Sequence, residues 1–320
     1  VVRDRTYSLL LGDPGAGLST SLSHLVMTLT EPQPQSNPIH TLLSALLPSR
    51  RSSRRLPVHV PLRRCSPRNE TLLQDLLDPA TGMLSAPIRR PSPKGFFQRA
   101  FQQGHALVLF DGLEEMPDEE AYMQAIRKVA DFIQRYPGNK VVVTCRKAGW
   151  RGSLHPDFRI FQAVHPDFCT FTALPLDTQQ QHDFVHRWHA AILQPASHGV
   201  PIDKATSRKR AEKRANTLIG LLSSKARLRE LASNPLMLSL ICLVHHQRED
   251  LPGGRVALYQ ACAQILLELW DRIDQDLGHS QLTTSQKGRL LQRNSHRMHM
   301  LALREIERDA MDHLGLVYRP

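Results

Sequence analysis

Nine residues near the start of the chain, Gly-Asp-Pro-Gly-Ala-Gly-Leu-Ser-Thr at positions 12–20, have the types and spacing of an anion cradle. In the pattern G-x-x-x-x-G-K-[ST], glycines let successive backbone N–H groups wrap phosphate oxygens. A lysine adds a point charge at the β- and γ-phosphates, and a Ser or Thr hydroxyl ligates Mg²⁺. Gly12, Gly15 and Gly17 keep the cradle, with Asp13, Pro14 and Ala16 between them; Ser19, followed by Thr20, keeps the metal ligand. Leu18 stands where the lysine belongs, so that charge is missing. One charge-assisted phosphate contact is worth about 1.5–3 kcal/mol, which is about one to two decades of affinity. Hydrolysis should lose more, because the lysine offsets charge that develops in the transition state.

A second set of reactive residues lies downstream. Asp111 ends the apolar run at 106–110, and Glu114 and Glu115 follow at once. A carboxylate at the end of a buried strand can support Mg²⁺, and an adjacent acid can orient an attacking water. Taken alone, the same acids also suit a helix N-terminus, where the macrodipole favours them. Arg146 follows Lys-Val-Val-Val-Thr-Cys; a guanidinium there can reach a γ-phosphate, or it simply caps a strand end. Asn234-Pro235 opens an apolar helix, a place where proline is favoured for local reasons. His182, His186 and His189 recur at helical spacing, but no acid or thiol completes a metal site, so a polar helix face is expected. No Ser-His-Asp or Cys-His arrangement emerges.

The elements that must position these residues can be read from periodicity. Short apolar runs at 6–11, 56–62, 106–110, 140–144 and 170–174 predict strands. The second carries two prolines, which points to an edge. Helical spacing appears at 20–29, 71–77, 96–103 and 121–136, with Pro- and Gln-rich or Pro-rich loops at 31–38 and 87–93. Strands alternating with helices imply a parallel sheet covered on both faces. After 176 the strand signal stops, and 179–192, 211–222, 225–231, 235–246, 256–277 and 285–303 all predict helices. The expected architecture is an α/β front followed by an all-helical rear.

Bulk properties narrow the class. At 320 residues, 41% hydrophobic and 22% charged, the chain suits an ordinary globular protein of two or three units. No apolar run predicts a membrane span. The start, Val-Val-Arg-Asp-Arg, has neither an initiator Met nor a signal-peptide layout, so a piece of a longer chain is expected. Cys65, Cys145, Cys169, Cys242 and Cys262 are few, odd in number and without C-x-x-C spacing, which favours a reducing cytoplasm over a disulfide framework. The net charge of +11 is concentrated locally: Arg50, Arg51, Arg54, Arg55, Arg63, Arg64 and Arg68 form one cluster, and Arg208, Lys209, Arg210, Lys213 and Arg214 another. Such clusters can attract nucleic acid. Without interleaved aromatics for base stacking, solvated polar surface is the favoured reading.

Taken jointly, the motifs resemble the NACHT domain of P-loop NTPases, in the STAND class, of the bacterial kind related to animal NOD-like receptors. The resemblance rests on Leu-Gly-Asp-Pro-Gly-Ala-Gly-x-Ser-Thr, Leu-Val-Leu-Phe-Asp-Gly-Leu-Glu-Glu and Asn-Lys-Val-Val-Val-Thr-Cys-Arg. It continues through 171–176 with Phe184 and Trp188, then Leu-Ala-Ser-Asn-Pro-Leu-Met-Leu at 231–238 and Leu-Pro-Gly-Gly-Arg-Val-Ala-Leu-Tyr at 251–259. It implies a nucleotide-binding domain at 1–176, a helical domain at 177–252 and part of a winged-helix domain at 253–320. It also implies a cytoplasmic signal-transducing ATPase that ADP holds closed and ATP opens for self-association, in bacteria often in antiviral defence. Effector and sensor domains would lie outside this segment. By the same resemblance Ser19 binds Mg²⁺ with Asp111 in support, Glu114 or Glu115 positions water, Arg146 senses the γ-phosphate and Pro235 packs on adenine. Leu18 departs from the family pattern. It leaves open a nucleotide-independent scaffold for protein assembly, and the Arg-rich clusters leave open a nucleic-acid-binding module.

Overall fold

The computed structural model describes residues 6–30, 55–66, 68–77, 95–116, 118–150, 168–192, 204–248, 251–252, 254–277 and 283–300. The loops expected at 31–38 and 87–93, and Arg50, Arg51 and Arg54, lie outside them. The chain divides into two compact units, Val1–Leu174 and Pro175–Pro320.

The first unit is built on five short strands: β1 (Tyr7–Gly12), β2 (Leu56–Pro61), β3 (Ala106–Asp111), β4 (Lys140–Arg146) and β5 (Phe168–Thr172). They form one sheet in the order β2-β3-β4-β1-β5, and every neighbouring pair is parallel. β2 is an edge strand, where the missing N–H groups of Pro57 and Pro61 are tolerated. β3 is buried along all six residues, which a parallel strand covered on both faces requires.

Alternation along the strands assigns each side chain a face. Leu107, Leu109 and Val142 pack with Leu22 and Leu25 of helix α1 (Leu18–Thr30). Val108, Phe110, Val141 and Val143 pack on the opposite face with α2 (Leu72–Leu77), α3 (Phe96–Gln102) and α4 (Glu119–Arg135). Phe132 meets both Phe101 and Phe110 there edge to face. Each such fully buried side chain contributes about 1.5–3 kcal/mol. α4 starts at Glu119 because the Asp118 carboxylate accepts from the Ala121 N–H at 2.8 Å, a side-chain N-cap.

Two polar devices tie down the connections. The first is a pair of clamps at the amino end of the sheet. Asn139 donates to the Phe101 and Tyr136 carbonyls and accepts from the Ala106 N–H. Arg55, one of the arginines read as solvated, instead donates to the carbonyls of Gly104, Ala106 and Gly138. The second is an ion pair between Lys128 Nζ and Asp75 Oδ2 at 2.7 Å, with side chains only 7% and 0% exposed. Lys128 also donates to the Ser66 carbonyl, and Asp75 accepts from the Ser66 N–H and the Asn69 side chain.

The second unit contains α5 (Thr178–Ile192), α6 (Lys204–Ser224), α7 (Ala226–Leu231), α8 (Pro235–Arg248), α9 (Arg255–Leu277) and α10 (Thr284–Met300). Its core joins Val185, Leu218, Leu222, Leu238, Ile241, Cys242, Leu258 and Ile265. Among the described residues no helix is long and apolar enough to cross a membrane. The described part of 253–320 consists of α9 and α10.

The three histidines of α5 do not share one polar face. His186 is exposed, whereas His189 is fully buried, with Nδ1 3.0 Å from the Val185 carbonyl and its ring against His245. Among the described residues no group of three His, Cys, Asp or Glu could hold a metal. Burial holds the His189 imidazole below its ordinary value of 6.5; the Val185 carbonyl opposes this, and His246, Arg214 and His186 add to it. The unfolded chain therefore takes up the proton first, and stability falls as pH drops below about 6.5. The denaturant midpoint of the protein is expected to be lower at pH 5.5 than at 7.5, with His189 contributing at most about 1.4 kcal/mol per pH unit. His189→Leu should flatten part of that slope; an unchanged slope in this variant would refute the assignment.

Candidate functional site

The site forms at the carboxyl end of the sheet because strand order brings distant segments together. β4 lies between β1 and β3, and the register pairs Gly12 with Arg146 and Pro61 with Asp111. The loop after β1, the acids after β3 and the tip of β4 therefore share one end, where open parallel sheets bind ligands.

The loop makes one internal turn, with the Ala16 N–H donating to the Asp13 carbonyl at 2.9 Å. Gly15 and Gly17 both adopt φ of 80°, which side-chain-bearing residues rarely tolerate. α1 starts at Leu18, and the first four N–H groups of a helix have no intrahelical partner. A cradle of amides with the positive end of a helix dipole suits a phosphate. The Leu18 side chain folds back over Gly12, so closely that a Cβ there would stand 3.0 Å from Leu18 Cδ2 and 3.1 Å from Cδ1. Leu18 fills space at the base of the loop and brings no charge.

Ser19 and Asp111, 92 residues apart in sequence, meet directly: the Ser19 hydroxyl donates to Asp111 Oδ1 at 3.0 Å. Thr144 of β4 donates to the same oxygen at 2.7 Å and accepts from the Gly112 N–H at 3.0 Å. His59 of β2 sits 3.3 Å from Asp111 Oδ2. Burial pushes the Asp111 carboxyl up, but hydrogen bonds from His59, Thr144 and Ser19, with the charge of His59, outweigh it and hold the group below its ordinary value. It is thus a fixed anion. One hydroxyl and one ionised carboxylate are hard oxygen donors, the set Mg²⁺ takes alongside phosphate oxygens. The residues fit the metal.

The two glutamates diverge. Glu114 accepts from Arg146 twice, from Nε at 3.1 Å and from the backbone N–H at 3.1 Å. Glu115 instead lies 3.6 Å from Arg63. Glu114 is thus the acid held at the tip of β4. Asp13 pairs with Lys147 at 2.7 Å, and the Lys147 backbone N–H donates to the Gly12 carbonyl. Burial and the Glu114 carboxylate push the Cys145 thiol up to about 12, so it is a packing atom and no nucleophile.

In the second unit Pro235 occupies the first position of α8, and the Asn234 carboxamide oxygen accepts from the N–H groups of Leu236 and Met237. The local capping role of Asn-Pro is real.

Sequence reasoning did not single out His59, Thr144 or Lys147. Thr144 and Lys147 had a signal, since both flank Arg146 at the end of a strand already assigned to the site. His59 had none beyond its place in the apolar run of β2.

A family model described as NACHT domain matches residues 6–191. No curated protein matches the chain.

Proposed function

The chain belongs to the NACHT family of nucleotide-binding P-loop NTPase modules, and from that premise we propose that its first unit is an ATP/ADP-gated switch that binds nucleotide with Mg²⁺. The observation that carries this is the meeting of Ser19 and Asp111 at 3.0 Å beside the glycine loop. Gly12, Asp13, Pro14, Gly15, Ala16, Gly17, Leu18, Ser19 and Thr20 form the phosphate cradle, and Ser19 with Asp111 holds Mg²⁺. The metal neutralises phosphate charge. Glu114, rather than Glu115, orients the attacking water, and Arg146 exchanges its Glu114 contact for the γ-phosphate.

Hydrolysis is slow because Leu18 offers no charge to the transition state. On this reading exchange of ADP for ATP drives a conformational change and self-association in the cytoplasm. The helical domain at 177–252 and a partial winged-helix domain at 253–320 relay it between effector and sensor domains. Innate or antiphage defence is the setting the family suggests, in a bacterium.

Calorimetric titration with ATP and ADP tests this. Saturable binding that weakens without Mg²⁺ is expected, and Ser19→Ala should abolish the Mg²⁺ dependence. Absence of binding to both the parent and Leu18→Lys would remove the reading. Leu18 favours a second reading, a nucleotide-independent scaffold for protein assembly. It predicts a melting temperature indifferent to Mg-ATP, whereas a ligand at a hundredfold excess over Kd stabilises by about 2.7 kcal/mol.

A further inference from the structure

We propose that Lys147 supplies the phosphate-directed charge that Leu18 lacks, with Asp13 holding its ammonium at the glycine loop until a polyphosphate displaces it. This rests on the nucleotide reading above and assigns it a new phosphate-binding residue. The placement begins in the backbone. β4 ends at Arg146 in register with Gly12, and the Lys147 N–H donates to the Gly12 carbonyl at 3.0 Å. The Lys147 main chain is therefore anchored beside the first glycine of the loop, whatever its side chain does. Nζ then stands 2.7 Å from Asp13 Oδ2, at the loop's second residue.

Three physical points favour a transfer of this ammonium to phosphate. The Lys147 and Asp13 side chains are 41% and 57% exposed, and an ion pair so exposed is worth only about 0–1 kcal/mol. A nucleoside triphosphate carries more charge than one carboxylate, so it outcompetes Asp13. Lysine is a compact charge on a flexible four-carbon stem, and it can move between the two acceptors without moving the backbone. The Arg146 guanidinium, by contrast, pairs with Glu114, which follows β3, and not with a residue of the glycine loop. Finally, an unpaired Asp13 carboxylate would repel phosphate, so the lysine acts on binding even before it touches the ligand.

That last effect must be separated from direct contact, and four variants read against the parent and Leu18→Lys do so by calorimetry with Mg-ATP. Lys147→Gln is expected to weaken binding about tenfold. Asp13→Asn, which frees the ammonium, should bind at least as tightly as the parent. The double variant Asp13→Asn/Lys147→Gln should stay weak, because no carboxylate remains to be neutralised and the loss is of the phosphate contact itself. In a Leu18→Lys background, Lys147→Gln should cost less than about threefold, since the charge is then supplied from the helix. Unchanged affinity of Lys147→Gln would overturn the proposal. So would return of the double variant to the parent's affinity, which would reduce Lys147 to a neutraliser of Asp13. If neither the parent nor Leu18→Lys binds Mg-ATP, the nucleotide reading fails and this assignment goes with it. Matched circular dichroism melts of all variants exclude unfolding as the cause.

Discussion

Leu18→Lys is expected to tighten Mg-ATP binding about ten- to a hundredfold and to raise single-turnover ATP hydrolysis by more than that. The binding gain is one charge-assisted contact, about 1.5–3 kcal/mol. The rate gain exceeds it because a fixed cation counts most where negative charge grows. Everything else the contact needs is in place. Gly15 and Gly17 hold the loop open at φ 80°, Ser19 and Asp111 sit 3.0 Å apart, and Glu114 and Arg146 stand at the tip of the adjacent strand. The Leu18 side chain lies across Gly12, so the lysine stem would replace aliphatic contacts it can itself make. Isothermal titration and quenched-flow measurement of γ-phosphate release check both halves. A tighter Kd with no change in hydrolysis would place the chemical defect elsewhere, most directly at Glu114. If Lys147 already supplies charge, the gain will sit at the lower end and grow to the upper end in Lys147→Gln.

The largest stability effect is expected at a position remote from the phosphate loop. Asp75→Ala removes the carboxylate from a buried pair and leaves the buried Lys128 ammonium with its bond to the Ser66 carbonyl. Breaking a buried pair from one side typically costs about 3–5 kcal/mol. The same carboxylate accepts from the Ser66 N–H at 2.8 Å and from Asn69 at 3.0 Å, so the turn that follows β2 loses its anchor as well. A fall of several degrees or more in melting temperature should follow. Asp75→Leu/Lys128→Met, which removes both charges and keeps the volume, should recover most of the loss. A double variant as unstable as Asp75→Ala would show that the hydrogen bonds to Ser66 and Asn69, not the uncompensated charge, dominate.

The sequence carries the strands and most helices of both units in the spacing of their apolar residues, because alternation and helical repeat are local properties of the chain. It also carries the edge position of β2, through Pro57 and Pro61, and the glycine loop with Asp111 and Arg146 at strand ends. These follow from short-range sterics: where proline cannot donate, and where only glycine takes a positive φ. The family follows from the same motifs.

What tertiary structure alone decided is which of these residues meet. Strand order places β4 between β1 and β3, and that order is fixed by packing helices on both faces, not by anything in a single segment. Hence Thr144 and His59 converge on Asp111, Glu114 turns to Arg146 while Glu115 turns to Arg63, and Lys147 reaches Asp13 across 134 residues. The same holds for burial. Arg55, a member of an apparently solvated cluster, clamps three carbonyls, and His189, spaced as one of a polar row, is enclosed in a helical core. Periodicity tells a side chain which way to point from its own backbone; whether water, a carbonyl or a carboxylate waits there depends on segments far away in the chain.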